Sequence, residues 1–335
     1  MTETMRMLLC MLTATVGTLL LEPIVIRLAA RLKAGQPVLH YVDKHEGKSG
    51  TPTMGGIGFL LAATIAMLIW YPKMRSAGMA AIAFTLAYAT VGFLDDFLKI
   101  RRHDNQGLHA YQKIIGQVGI AVLLTWYCMR SPYIGTQIEV PFFGLRVTLG
   151  WWYAPLCMLA AVGMSNAVNL TDGLDGLVSS TGAVYFGCMG AIAAVFLRRA
   201  RYAGDVLIGD HYLSVGMFCM AILGALLGFL WFNSHPARIF MGDTGALALG
   251  GAAACAGLFL SDPLIILLPG IMYLVSCISV IMQVIAFRLT KKRIFRMAPF
   301  HHHLEYSGVK ECKIVAWYTI LTVIGAVVAY LSLGV

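Results

Sequence analysis

The sequence predicts an all-α polytopic membrane protein, and three observations carry that prediction. Only 12% of the residues are charged against 59% hydrophobic, where an average soluble domain has roughly 25% charged. Such a chain cannot cover itself with a water-facing surface, and its mean hydropathy of +0.77 agrees. The apolar residues also gather in runs that match the roughly 20 residues a helix needs to cross a bilayer. At that length, 335 residues leave room for about ten spans and their loops.

Taken in order, the runs predict spans over 7–26, 53–71, 79–98, 112–129, 151–170, 177–197, 213–232, 245–260, 264–287 and 314–333. The first follows Arg6 and precedes Arg27, Arg31 and Lys33, with no small-residue cleavage site. It reads as a retained span rather than a signal peptide. The heavier positive charge after it puts the N-terminus outside. Ten spans then put both termini outside and leave 17 of the 25 Lys and Arg in the inside loops, the asymmetry expected of that orientation. The outside connection alternates apolar and polar residues and predicts a short β-hairpin near 137–149, turning at Phe143-Gly144. The eight cysteines stand singly with no C-x-x-C pair, which points to packing rather than metal or disulfide chemistry. No repeat or domain boundary interrupts the chain, so 1–335 reads as one integral-membrane domain.

The polar clusters all fall on the inside face of that topology. They are residues 48–56, Asp95-Asp96 with Lys99, residues 166–176, residues 233–245, and residues 299–305. Unrelated oddities would scatter between the faces, so one shared site is the better account. Two adjacent carboxylates repel unless a cation compensates, and acids at the membrane boundary are expensive to keep without a function. Asp172 and Asp175 share a face if their stretch is helical. Asp243 reads either as a helix N-cap or as a ligand for Mg²⁺, which takes one or two carboxylates plus substrate phosphates. His301, His302 and His303 cannot all point one way, and a zinc site would want spaced ligands. Phosphate recognition fits them better, beside Arg288, Lys291, Lys292, Arg293 and Arg296. There is no G-x-x-x-x-G-K-[ST], which excludes a P-loop nucleotidase. Acids for Mg²⁺ and cations for phosphate together indicate phosphoryl transfer between a lipid and a soluble nucleotide-activated reactant. A transporter or flippase is the competing class, but its charges would lie near the midplane at broken helices.

Four motifs carry a resemblance that runs nearly end to end: G-T-P-T-M-G-G at 50–56, N-A-V-N-L-T-D-G-L-D-G at 166–176, F-M-G-D-T-G at 240–245 and P-F-H-H-H-L-E at 299–305. With them the chain resembles the phospho-N-acetylmuramoyl-pentapeptide transferases of the polyprenyl-phosphate N-acetylhexosamine-1-phosphate transferase superfamily. The first and last motifs separate it from the related UDP-GlcNAc branch, which stays the alternative. Ala246 stands where the family more often has Ser. The resemblance implies ten helices, periplasmic termini and a homodimer in the bacterial cytoplasmic membrane, with the site on the cytoplasmic face and no nucleic-acid partner. It implies magnesium (Mg²⁺) as cofactor and two substrates, UDP-MurNAc-pentapeptide and undecaprenyl phosphate, giving lipid I and UMP. Carried over by position, Asp243 resembles the metal ligand and Asp95-Asp96 the catalytic pair. Lys99, His301, His302 and His303 match further catalytic positions. Lys48, Thr53, Lys113, Asn169, Asp172, Asp175, Asn233, Phe240 and Gln283 match substrate-binding ones. A lipid groove by the ninth span is implied, where Pro269-Gly270 would allow a bend. Direct attack by the lipid phosphate and a phospho-enzyme route both remain open at this level.

Overall fold

The structure, a computed structural model, describes residues 1–32, 50–71, 73, 76–102 and 107–334. Lys48 lies outside the described residues. The long helices are α1 (Glu3–Arg31), α2 (Gly56–Trp70), α3 (Ala77–Arg102), α4 (Ala110–Arg130), α5 (Tyr153–Thr171), α6 (Leu177–Tyr202), α7 (Val206–Asn233), α8 (Gly242–Phe259), α9 (Ile271–Thr290) and α11 (Glu311–Leu331). A short helix, α10 (Phe300–Tyr306), lies between the last two. Seven of these helices are long and apolar enough to cross a membrane by length and composition, among the described residues. The chain is a mostly helical, multi-pass membrane protein.

Each apolar run of the sequence has its helix, and two ends differ in ways that matter. The third run continues past its expected end to Arg102, so Asp95 and Asp96 sit inside α3. The ninth run begins with a 3₁₀ turn over Ile265–Leu267, and α9 starts only at Ile271. Pro269-Gly270 therefore precedes the helix rather than bending it, a correction with a plain cause. Proline has no N–H for the helical ladder, and Gly270 takes the N-cap position.

Small residues place the core. In α8 every residue except Asp243 is buried, and most are Gly or Ala. A Cβ on Gly92 of α3 would strike the backbone of Asp243 and Thr244, and one on Gly250 would strike Met164 and Ser165 of α5. The absent side chains let backbones approach closely, as helices in lipid do where no hydrophobic drive holds them together. The start of α8 is thereby clamped against the end of α3. The outer faces of α1 and α11 carry exposed apolar residues such as Leu12, Leu20, Ile320 and Val327, which suits contact with lipid. At the opposite end from the acids, β1 (Gln137–Val140) pairs antiparallel with β2 (Leu145–Thr148). The pair is tied down where the Glu139 and Phe142 N–H groups donate to the carbonyls of Ser261 and Ser332.

Candidate active site

Neighbouring residues on a helix point about 100° apart, and Asp95 and Asp96 use that difference. Asp96 is turned to the start of α8. Its Oδ1 accepts from the Asp243 N–H at 3.2 Å, and its Oδ2 accepts from the Thr244 N–H at 2.9 Å and the Thr244 hydroxyl at 2.7 Å. First-turn N–H groups have no partner within their own helix, so a carboxylate there satisfies donors and complements the helix dipole. Asp95 takes none of those α8 donors. Its Oδ1 accepts from the Leu108 N–H at 2.7 Å, while Oδ2 lies 2.6 Å from Lys99 Nζ and 3.0 Å from Lys113 Nζ.

The same two lysines meet Asp243, at 2.6 Å for Lys113 and 3.3 Å for Lys99. Asn169 donates to the other oxygen of Asp243 at 3.0 Å. Asp95, Asp243, Lys99 and Lys113 thus close a ring of alternating charge, contributed by α3, α4 and α8. Asp95, Asp96 and Asp243 can each offer one oxygen within 4.8 Å of the others. This hard oxygen donor set fits a divalent ion such as Mg²⁺. Asp96 already serves α8, which leaves Asp95 and Asp243 as the available pair.

Two of the sequence motifs are stitched together beside the ring. The Phe240 N–H donates to Pro52 O at 2.9 Å, Gly55 N–H to Phe240 O at 2.9 Å, and Gly56 N–H to Met241 O at 3.0 Å. Gly242 has a φ of 69°, a left-handed conformation that glycine adopts without strain. A Cβ there would also strike Asp96 and the buried Thr53 hydroxyl.

The stretch 166–176 is part helix and part turn. Asn166 donates to Gln117 Oε1 at 2.6 Å, and α5 ends at Thr171. Asp172 caps it, so Asp172 and Asp175 do not share a helix face. Burial, and then the charges of Asp243, Asp96 and Asp175, push the Asp172 carboxyl up to about 8. Asp175 looks the other way. Its Oδ2 accepts from the Ala237 N–H at 3.1 Å and lies 3.1 Å from His235 Nδ1, and its own N–H donates to Glu311 at 2.7 Å.

Other expected site residues brace the surroundings. Asn233 accepts from the Ser179 hydroxyl at 2.6 Å and donates to Ile239 O at 3.0 Å. Gln283 accepts from the Ile294 and Phe295 N–H groups at 3.1 and 3.0 Å, holding the basic segment after α9. The three histidines do three different things. His301 is fully buried beside Tyr318, and burial, followed by the His302 ring, drives its pKa well below the ordinary value, so the ring is neutral. His302 Nδ1 lies 3.0 Å from Glu305. His303 Nδ1 accepts from the Arg296 N–H at 3.2 Å, and its ring stacks on Phe300. A Cβ on Gly173 would strike the rings of His301 and His302, which joins α10 to the 166–176 turn.

Thr244, Gln117, His235 and Glu311 take part without having been singled out. Thr244 lay inside the F-M-G-D-T-G motif and was legible as a hydroxyl beside Asp243. Glu311 opens α11 far along the chain, and no local pattern announces its contact with Asp175.

The glycosyl transferase family 4 pattern matches residues 78–261, a stretch that contains the acid–lysine ring. The chain is 44% identical over 315 residues to a phospho-N-acetylmuramoyl-pentapeptide-transferase of Clostridium perfringens strain SM101, covering 94% of this chain and 93% of that one. It is 42% identical over 332 residues to the Desulfitobacterium hafniense protein of the same name, covering 98% of each. With the Halalkalibacterium halodurans protein, also so named, identity is 40% over 327 residues and 96% of each chain. The chain therefore belongs to glycosyl transferase family 4 and, within it, to the phospho-N-acetylmuramoyl-pentapeptide-transferases.

Proposed function

We propose that the chain transfers phospho-MurNAc-pentapeptide from UDP-MurNAc-pentapeptide to undecaprenyl phosphate, forming lipid I and UMP in peptidoglycan synthesis. The observation that carries this reading to particular atoms is the ring in which Lys99 and Lys113 each lie within 3.3 Å of Asp95 and Asp243. A diphosphate entering there brings the anionic oxygens that Lys99 and Lys113 bind through charge-assisted hydrogen bonds. Mg²⁺ held by Asp243, with Asp95 beside it, would neutralise charge building on the diphosphate. Asn169 fixes the Asp243 carboxylate, and Asp96 fixes the helix start that presents it.

In the reaction, an oxygen of the lipid phosphate bonds to the β-phosphorus while the bond from that phosphorus to the bridging oxygen breaks. UMP leaves with the bridging oxygen and its electron pair. A phosphate monoester has its second pKa near ~6, so the nucleophile is ionised at neutral pH and needs positioning more than a base. In this reading Asp95, which shares both lysines with Asp243, orients it or accepts a residual proton. We assign the site to the cytoplasmic face and the working unit to a homodimer in the cytoplasmic membrane.

The test is UMP release by the purified full-length protein with Mg²⁺, UDP-MurNAc-pentapeptide and undecaprenyl phosphate. Release that requires both substrates is expected. Comparable release when UDP-GlcNAc replaces the muramoyl substrate moves the chain to the related branch. No release with either sugar, together with lipid movement across vesicles, makes it a transporter.

A further inference from the structure

The far end of the bundle holds a cavity of about 840 Å³ that the transfer reaction does not use. The end of α2, the start of α3, the end of α4 and the start of α7 wall it. Ala77 at the start of α3 lines it. Asp95 lies on the same helix about 27 Å away, at roughly 1.5 Å per residue. The cavity and the acid–lysine ring therefore face opposite leaflets.

Its lining combines two cations with an apolar lip. Lys73 and Arg130 both reach it. Among the described residues lining it the one carboxylate, Asp210, is held by Lys73 at 2.8 Å and by Arg201 at 2.7 Å. Arg130 has no carboxylate partner among the described residues, so the space carries surplus positive charge. The first turn of α3 adds the partial positive charge of a helix N-terminus. On the lipid side stand Trp126, 63% exposed, and Leu207, 66% exposed. Trp and Tyr gather at the headgroup level of a bilayer, and Tyr133 lines this cavity as well. A free phosphate would use the cations and have no use for the lip.

We propose that this cavity binds one anionic glycerophospholipid from the leaflet opposite the catalytic ring. The phosphate lies between Arg130 and Lys73, where the planar guanidinium can grip two oxygens at once. The first acyl carbons run along Trp126 and Leu207. The bound lipid ties Lys73 to α4 and α7. None of this depends on the reaction assigned to the other end.

The experiment is native mass spectrometry of the full-length protein after incubation with phosphatidylglycerol, phosphatidylcholine or inorganic phosphate. One tightly retained phosphatidylglycerol is expected on the wild type, with phosphatidylcholine retained more weakly, because its choline brings a second positive charge into a space that already carries a surplus. Arg130→Gln should weaken retention of the anionic lipid about tenfold. Leu207→Trp, which fills the lip and leaves both cations in place, should weaken it too, and Arg198→Gln on the exposed side of α6 should not. UMP release should stay at the wild-type rate in all three variants. Equal retention by wild type and Arg130→Gln would show ordinary annular lipid and overturn the proposal. Displacement of the lipid by millimolar inorganic phosphate would overturn it in favour of a free-anion site.

Discussion

Replacing Asp96 with alanine removes one acceptor from three donors at the start of α8. Hydrogen bonds to a charged group are worth more than neutral ones, and buried donors left without an acceptor add a desolvation penalty. Asp96→Ala should therefore lose about 2–4 kcal/mol of stability along with its activity. Asp243→Ala should behave differently. Its carboxylate meets two lysines and Asn169 in a polar site, so the fold should hold. UMP release should fall by at least about 10²–10³-fold, the usual cost of an electrostatic contact to a transition state. Thermal unfolding followed with a thiol-reactive dye, which reports exposure of the buried cysteines, separates the two cases. An Asp96→Ala protein with wild-type unfolding temperature would contradict the bracing role. Asp243→Ala activity within tenfold of wild type would contradict the catalytic one. The acids themselves were legible in the sequence because charged residues are so scarce there. Their division of labour was not, because two adjacent letters do not say which one faces α8.

At the scale of an element, the segment between α8 and α9 carries a titration. Asp262 is 2% exposed, and its Oδ1 accepts from the Ile265 N–H at 3.1 Å, which starts the 3₁₀ turn. Burial pushes its carboxyl up to about 7; the Ile265 N–H opposes the rise and Glu139 adds to it. In the unfolded chain the same group titrates near ~4. Between those values the folded protein holds a proton that the unfolded chain has released. The resulting stabilisation is complete below about 4 and lost as pH rises through about 7. The wild type should therefore unfold at a lower temperature at pH 8 than at pH 5. Asp262→Asn, which cannot ionise, should flatten that difference, and an unchanged slope in the variant would show that other groups set it. This segment is also where the sequence misled. Residues 264–268 are as apolar as the helix that follows, so hydropathy runs straight through Pro269. The proline's missing N–H, not a change in polarity, ends the run. The other helices were legible because their apolar runs are bounded by charge or by loop residues.

The whole molecule has one chemical handle on its orientation. Of the eight cysteines, five are buried, Cys188 and Cys277 are half-buried within helices, and Cys312 is exposed. Cys312 opens α11, next to Glu311, whose carboxylate accepts from the Asp175 N–H. It therefore stands at the same end as the 166–176 turn and the acid–lysine ring. Phe143, at the tip of the β1–β2 pair, stands at the other end and is 73% exposed. The excess of Lys and Arg in the loops at the ring end predicts that this end faces the cytoplasm. In intact cells an impermeant maleimide should then leave the wild type unlabelled and should label Cys312 only after permeabilisation. Phe143→Cys should label from outside without permeabilisation. Native Cys312 serves better than a new cysteine at Glu305, which is 7% exposed and paired with His302. Labelling of Cys312 from outside would reverse the topology. Because every element of the ring shares that end, the nucleotide substrate would then have to be supplied from outside the cell. A soluble UDP-sugar made in the cytoplasm could not reach it, and the proposed reaction would fail with the orientation.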